Sequence, residues 1–144
     1  MAIRRNMEAV NVKYGFLADA ANVTADGKVN ALGIFEALHA SSFPATHPHM
    51  AIALAFEVLS SDAGSQKHAR LRLLSADGVE VGPVVEIGFN LPPPPAVAPR
   101  STIWQAINIQ NLVFPAEGNY EFSVTIDGHQ SYSVPLALRT LQPK

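Results

Sequence analysis

Two histidines lie close enough in this sequence to suggest metal chemistry. His47 and His49 are separated only by Pro48, and in an extended segment both rings would point to the same side. Imidazole binds zinc, but a zinc site needs three or four ligands, and the sequence indicates no third one. We therefore predict no metal site and no cofactor, and we assign the pair to a solvated loop.

The carboxylate of Asp19 is the second candidate for chemistry. It lies in residues 17–22, a segment of mostly small residues, whereas the other aspartates fall mostly in predicted turns. Its predicted cross-strand neighbour, Gly33, would leave space above the carboxylate. Buried charges have to be paired, and structural pairing is the commoner reason for one. We therefore predict a buried acid, satisfied by backbone amides or by Asn22 and Lys28, in preference to a catalytic group.

Motifs for nucleophilic catalysis are lacking. The sequence has no Gly-x-Ser-x-Gly elbow, no phosphate-binding Gly-rich loop and no His-Glu-x-x-His. It also has no cysteine, which excludes a disulfide framework, a thiolate metal site and a cysteine nucleophile. We predict that the protein is not an enzyme; a hydrolase built on Asp19 and a histidine is the least favoured alternative.

The 144-residue chain carries few charges. Charged residues make up 15% of it, against about 25% in an average protein. The net charge of −2 argues against nucleic-acid binding through phosphate contacts. No apolar stretch is long enough to span a bilayer and the N-terminus does not resemble a secretory signal, so we expect a cytoplasmic protein without membrane insertion. The length predicts one domain, residues 10–144, after a flexible arm at 1–9.

Apolar and polar residues alternate with period two through most of the chain, which predicts β-strands. Residues 29–40 would also suit a helix, but the turn before them favours a strand. Eight strands with short hairpins predict an all-β antiparallel sandwich, Ig-like or jelly-roll-like, with a closed β-barrel as the alternative. The predicted strands are 11–23, 29–40, 49–60, 67–75, 79–91, 102–114, 119–126 and 129–141.

Three predicted turns share the pattern Ser/Thr, apolar, Asp, Gly. The pattern is typical of a three-residue hairpin loop whose glycine is left-handed. Such loops place apolar residues opposite one another, whereas two-residue loops would shift each pairing by one and expose a core face. The turn residues are Asp26 and Gly27, Asp77 and Gly78, and Asp127 and Gly128. The predicted pairs include Val23 with Val29, Ala69 with Val85, and Phe122 with Tyr132.

Two further features bear on partners. Four prolines at 92–95 must form an extended polyproline II segment, which we interpret as a rigid connector rather than a docking rod. Trp104 has the opposite strand parity to Ile103 and Ile107. If the isoleucines face the core, Trp104 lies on the outside of the sandwich and would mark an interface there. Packing into the core at a sheet edge is slightly favoured, because tryptophan is highly buried on average.

Several strand faces that should meet water carry small, uncharged residues. We therefore predict a non-enzymatic protein that acts through protein–protein contacts, as an assembly, structural or adaptor component, and that self-associates as a homo-oligomer. The alternative is a small-ligand or carbohydrate-binding module with Tyr14, Phe43 and Trp104 as aromatic platforms. The predicted contact residues are Ala51, Ala53, Ala55, Pro93, Pro94, Trp104, Ser131 and Ser133.

Residues 14–35, YGFLADAANVTADGKVNALGIF, resemble the N-terminal signature of an uncharacterised family of small bacterial proteins. The segment GNYEF at 118–122, together with Phe43-Pro44 and Asp127-Gly128, also matches. The resemblance covers most of the chain and is most specific in the first hairpin. Because the family is a domain of unknown function, it implies no activity, cofactor or catalytic residue. The late strand also resembles those of Ig-like sandwiches, which supports the fold and no particular function.

Overall fold

The computed structural model describes residues 10–62, 64–91 and 100–141. These residues form nine β-strands and one 3₁₀ turn at Ser60–Asp62, and none of them lies in an α-helix. No described segment is therefore a helix long and apolar enough to cross a membrane. The strands are β1 (Asn11–Val23), β2 (Val29–Phe35), β3 (Ala37–Ala40), β4 (Ala45–Leu59), β5 (Gln66–Leu74), β6 (Val85–Asn90), β7 (Arg100–Phe114), β8 (Gly118–Ile126) and β9 (His129–Thr140).

The strands form two sheets that pack face to face, in the orders β2-β1-β4-β7 and β3-β9-β8-β5-β6. The predicted all-β sandwich is confirmed. The closed-barrel alternative is wrong, because each sheet ends in edge strands of its own. The two inner faces form one apolar core, in which the ring centroids of Phe56 on β4 and Phe89 on β6 lie 4.8 Å apart.

The first hairpin has the predicted register. Val23 pairs with Val29, and Gly27 has a φ of 86°, as the left-handed end of a three-residue loop requires. The Thr24 hydroxyl donates to the Asp26 carboxylate, and Lys28 Nζ lies 3.4 Å from that carboxylate. These two contacts, the Thr24 hydrogen bond first, hold the pKa of Asp26 below its usual range.

The second hairpin follows the prediction only near its turn. The amide of Val81 donates to the carbonyl of Leu73 at 2.7 Å, as a three-residue loop predicts. Farther along, Val85 pairs with Leu71 and not with Ala69. Gly82, with a φ of 73°, and the following proline, which has no amide hydrogen, interrupt the ladder between these pairs. The predicted strand therefore begins at Val85 and its register shifts by two residues.

The third hairpin has a two-residue loop, so the three-residue prediction is wrong there. Ile126 pairs with His129, and the φ angles of 48° at Asp127 and 86° at Gly128 fit a type I′ turn. One extra residue on β9, Ser131, then forms a β-bulge. As a result, Phe122 pairs with Val134 and not with Tyr132.

The predicted strand at 29–40 is two strands in different sheets. The chain bends at Glu36 and crosses over, and β3 pairs parallel with β9. The amide of Ala137 donates to the Glu36 carbonyl at 2.9 Å, which fixes the crossing point. The described residues therefore form nine strands, not the predicted eight, and β3 and β9 are a parallel pair among them.

Strand β4 begins at Ala45, so the two histidines lie in a strand and not in the predicted loop. Pairing of β4 with β7 keeps one register throughout. Along β7, however, the residues that pack into the core have odd numbers up to Ile109 and even numbers from Leu112 onward. Asn111, between them, has a φ of 54°, and a left-handed residue turns the following side chains to the other face.

Candidate functional site

The candidate site is the face of the four-stranded sheet that points away from the core. Cross-strand pairing builds it in rows across β1, β4 and β7, with the exposed edge strand β2 beside them. The central row is Phe16, Ala53 and Ala106. We call this surface the outer face and define it by Tyr14, Phe16, Ala18, Ala20, Leu32, Ile34, Ala51, Ala53, Ala55, Trp104 and Ala106.

The alanines of β4 form the floor of the outer face and not its contact surface. Ala51, Ala53 and Ala55 are 0% exposed, so the prediction that they contact a partner directly is wrong. Their methyl groups are short, and β4 lies between strands that carry aromatic residues. The rings of Tyr14 and Trp104, which flank Ala55, lie 5.5 Å apart. The period-two alternation of the sequence showed that these alanines point away from the core, but it could not show which side chains lie beside them.

The larger apolar side chains of the outer face meet solvent. Leu32 is 73% exposed, Ile34 62% and Tyr14 47%. Exposed apolar side chains that cluster on one surface mark interaction sites, whereas singly scattered ones do not. At one end, Lys13 Nζ lies 3.9 Å from Glu57 and donates to Thr102 Oγ1 at 3.2 Å. The face therefore has a polar rim and an uncharged interior.

Trp104 lies on the outer face, half-buried against its aromatic neighbours. Its ring centroid is 6.0 Å from that of Phe16. It pairs with Ala55, while the preceding Ile103 pairs with the core residue Phe56. The outward position is therefore the one observed, and core packing at a sheet edge, which the sequence slightly favoured, is wrong.

The opposite surface, on the five-stranded sheet, is polar. Ser133 is exposed and pairs with Ser123, which is buried, while the Ser131 side chain lies outside what the structure describes. Arg70 Nε lies 3.5 Å from Glu86, its partner on the neighbouring strand. A shallow groove of about 480 Å³ runs along this surface between β5 and the β8–β9 turn. Its lining includes the charged residues Arg70, Arg72 and Glu86, unlike the interior of the outer face.

Asp19 is exposed, so the prediction of a buried acid is wrong. It does lie over Gly33, as predicted, and its backbone carbonyl is 3.0 Å from His49 Nδ1. The ring of His47 packs on Phe35 instead, with 6.2 Å between the centroids. The two histidines thus have separate surroundings. The described residues contain no group of three His, Asp or Glu side chains arranged for a metal ion.

A family of unknown function, DUF6941, matches residues 13–139. The chain belongs to this family. The match includes every residue of the outer face, so this surface is part of the DUF6941 domain. No curated protein sequence matches the chain.

One solved structure with a similar fold is the alkylpurine DNA glycosylase AlkC of Pseudomonas fluorescens, bound to DNA containing an abasic site analog. It superposes on the DUF6941 chain with a TM-score of 0.53 at 11% sequence identity. The match covers 90% of this chain but 30% of the glycosylase chain. At this identity the likeness concerns the fold alone, since one fold hosts many functions.

Pro93 and Pro94 lie outside the described residues, as do residues 1–9. The connector interpretation of the proline run and the flexible arm therefore stay predictions for this DUF6941 member.

Asp127 connects two parts of the DUF6941 fold in addition to shaping its turn. Its Oδ1 accepts a hydrogen bond from the His68 amide at 3.1 Å, and its own amide donates to the His68 carbonyl at 2.9 Å. Lys67 Nζ lies 3.7 Å from Asp127 Oδ2 and 3.6 Å from Asp62 Oδ1. The β8–β9 turn is thereby attached to β5. Sequence reasoning missed this contact because the partners lie 59 residues apart.

Replacing Asp127 by asparagine should lower the free energy of unfolding by about 1 kcal/mol. Asparagine tolerates the left-handed backbone, so the change removes mainly the charge that Lys67 and the His68 amide contact. The expected effect is small for a charged hydrogen bond, because Asp127 is 43% exposed and water screens it. Urea denaturation measures it. Asp77→Asn, at the corresponding place in the second hairpin, is the control; equal losses would contradict a role for the β5 contacts.

Proposed function

We propose that this protein is a non-enzymatic cytoplasmic binding module that recognises a protein chain through the outer face, as an assembly, structural or adaptor component. The observation that carries the proposal is the exposure of Leu32, Ile34 and Tyr14 together on one uncharged surface. The solvated face of an antiparallel sheet ordinarily carries polar and charged side chains, whereas the interior of the outer face carries none that is charged.

The dimensions of the outer face support a protein partner. Three spacings of about 4.8 Å make the outer face about 15 Å wide, enough to accept a strand or a helix of another chain. Tyr14 and Trp104 stand at one end of it. Tyrosine and tryptophan contribute most to binding where they anchor an interface.

We also propose an Ig-like arrangement for the sandwich. Two observations support it: the short strand β3 runs parallel beside the last strand, β9, and Tyr120 near the start of β8 donates its hydroxyl to the Ala116 carbonyl at 2.5 Å. A tyrosine bonded to the backbone just upstream is a feature of Ig-like domains. Ig-like sandwiches serve many functions, so this arrangement is compatible with a contact module without requiring one.

Photo-crosslinking in cells tests the proposed function. Benzoylphenylalanine in place of Tyr14 keeps an aromatic ring on the outer face and should capture a protein partner, which mass spectrometry identifies. The control position is Val79, which is 61% exposed but lies in the second hairpin, away from the outer face. Equal capture from both positions, or none from position 14, would reject the proposal.

Adding Ile34→Lys to the position-14 variant should lower the captured yield about tenfold. The substitution places a charge in the apolar contact, and desolvating an unpaired charge there costs at least about 1.4 kcal/mol. Because Ile34 is 62% exposed, the fold should tolerate the lysine, and an unchanged melting temperature verifies this. The matched control is Val79→Lys, which should leave the yield unchanged.

A small-ligand or carbohydrate-binding module is the second candidate. The observation that favours it is the pair of adjacent rings of Tyr14 and Trp104 on an open face, because sugar rings stack on such platforms. Phe43 packs against the core instead and does not contribute. Trp104 is the only tryptophan of the chain, so its fluorescence reports on this place directly. Sugars that change neither its emission nor the melting temperature would exclude the candidate.

A further inference from the structure

Strand β7 is an edge strand with an unusual sequence for that position. It spans 15 residues and has one hydrogen-bonded neighbour among the described strands, β4. Residues 101–114, STIWQAINIQNLVF, contain no charged residue and no proline. Edge strands of soluble proteins are ordinarily short, contain a bulge, or carry lysine or proline, because an unprotected edge pairs with other strands.

The other three edges of this sandwich have such protection. β3 is four residues long, β6 is six residues long and carries Glu86, and β2 is interrupted by Gly33 with a φ of 67°. The irregularity of β7 lies at Asn111, near its end, so residues 101–110 remain regular. Among the described edges, β7 is therefore the long one, and its residues 101–114 are uncharged.

We propose that β7 pairs antiparallel with β7 of a second copy of this chain, so that two four-stranded sheets join into one of eight strands. The partner is a second copy, and the two strands are related by a twofold axis, so that each strand pairs with its own sequence. In such a pair a charged side chain near the axis would lie close to the same side chain of the other copy and be repelled by it. β7 has no charge between residues 101 and 114 to oppose this. The inference goes beyond the proposed function, which concerns the outer face, and names the strand through which the expected self-association would occur.

One register matches apolar residues on both faces of the joined sheet. With the axis at Gln105, Ile103 lies opposite Ile107 of the second copy and Trp104 lies opposite Ala106. The two Gln105 side chains then face each other, and two amides can hydrogen-bond. Moving the axis by one residue would place Gln105 opposite Ile107, so this register is preferred.

Edge pairing leaves the outer faces free. The side chains of Trp104 and Ala106 in both copies point to the same side of the joined sheet, because directly opposed residues share a face. The two outer faces become continuous and remain open to a protein partner. The paired region, residues 101–109, spans about 30 Å at 3.4 Å per residue, so backbone hydrogen bonds supply much of the contact.

Cysteine crosslinking tests the pairing without background, because the native chain has no cysteine. Opposed residues in antiparallel strands have Cα atoms about 5 Å apart, within the range a disulfide bridges, so Gln105→Cys should give a disulfide-linked dimer on mild oxidation. Gln110→Cys is the control on the same strand, because the two copies of that residue would lie about 30 Å apart. Equal crosslinking of both variants, or none of Gln105→Cys, overturns the proposal.

Sedimentation equilibrium of the native chain supplies a second measurement. The expected mass is that of a dimer. Thr102→Asp with Asn108→Asp changes two exposed residues that face each other across the axis, and should raise the dimer Kd about tenfold through two pairs of like charges. A Kd that does not move, with melting temperature retained, rejects the pairing.

The two proposals fail in different ways. If Gln105→Cys crosslinks while position 14 captures no protein, edge pairing holds and the outer-face function is wrong. If position 14 captures a protein that Ile34→Lys releases while Gln105→Cys stays monomeric, the outer-face function holds and edge pairing is wrong.

Discussion

Replacing Phe56 by alanine should lower the free energy of unfolding by about 3–5 kcal/mol, the usual cost of truncating a buried phenylalanine. Phe56 is 0% exposed on β4, and its ring packs on Phe89 of β6 in the opposite sheet. The contact joins the two layers of the sandwich. Because β4 has strands on both sides, it cannot move inward to fill the cavity that the change would leave. Denaturation in urea, monitored by circular dichroism, measures the loss.

Leu32→Ala is the control for this experiment. It removes a comparable apolar side chain from the outer face, where Leu32 is 73% exposed, so its effect should stay within about 0.5 kcal/mol. The double variant with Phe89→Ala should lose less than the sum of the two single losses, because each removes part of the same contact. A Phe56→Ala protein as stable as the Leu32→Ala protein would contradict the role of this cross-sheet contact.

The inner face of β4 could be predicted from the sequence, because period-two alternation reports directly which side chains share a face. The alternation places Ile52, Leu54 and Phe56 on one side of the strand, and all three are fully buried. The same pattern does not report whether a strand is central or at an edge. The alanines between these residues were therefore expected to contact a partner, whereas β4 lies between β1 and β7 and all three alanines are 0% exposed.

Turn chemistry was predictable where the turn is regular. The first hairpin follows its Asp-Gly signal because its two strands keep one register, from Val23 and Val29 to Leu17 and Phe35. In the third hairpin, a two-residue loop followed by a bulge keeps the same side chains inside as a three-residue loop would. Phe122 meets an apolar residue in either case, Tyr132 or Val134. Apolar matching therefore cannot distinguish the two, and only the backbone angles at Asp127 and Gly128 do.

The candidate site could be predicted only in part, because its parts come from distant places in the sequence. Tyr14 and Trp104 become neighbours across Ala55, through β4 pairing with both of their strands. Strand order is set by long-range pairing, and three local hairpins do not determine it. The scarcity of charge placed Ala51, Ala53, Ala55 and Trp104 at a contact surface, but it could not show that Leu32 and Ile34 lie on the same face.

Gly33→Ala should lower the free energy of unfolding by about 2–3 kcal/mol. Gly33 has a φ of 67°, and a left-handed conformation costs a residue with a Cβ atom about 1–2 kcal/mol. The added methyl carbon would also lie 2.9 Å from Cγ of Asp19, so the carboxylate would have to move. Crowding of this kind adds about 1 kcal/mol or more. Equilibrium unfolding in urea measures the total.

Two companion variants separate strain from crowding. Gly27→Ala shares the left-handed conformation, with a φ of 86°, but meets no atom within 4 Å, so it should cost about 1–2 kcal/mol from strain. Asp19→Ala combined with Gly33→Ala should recover about 1 kcal/mol, because it removes the crowded carboxylate while the strain remains. Equal costs at the two glycines, with no recovery in the double variant, would show that Asp19 does not constrain Gly33. The expected pattern would show that Gly33 leaves space for the exposed carboxylate of Asp19 in the middle of an edge hairpin. The position of Asp19 would then be explained without burial or catalysis.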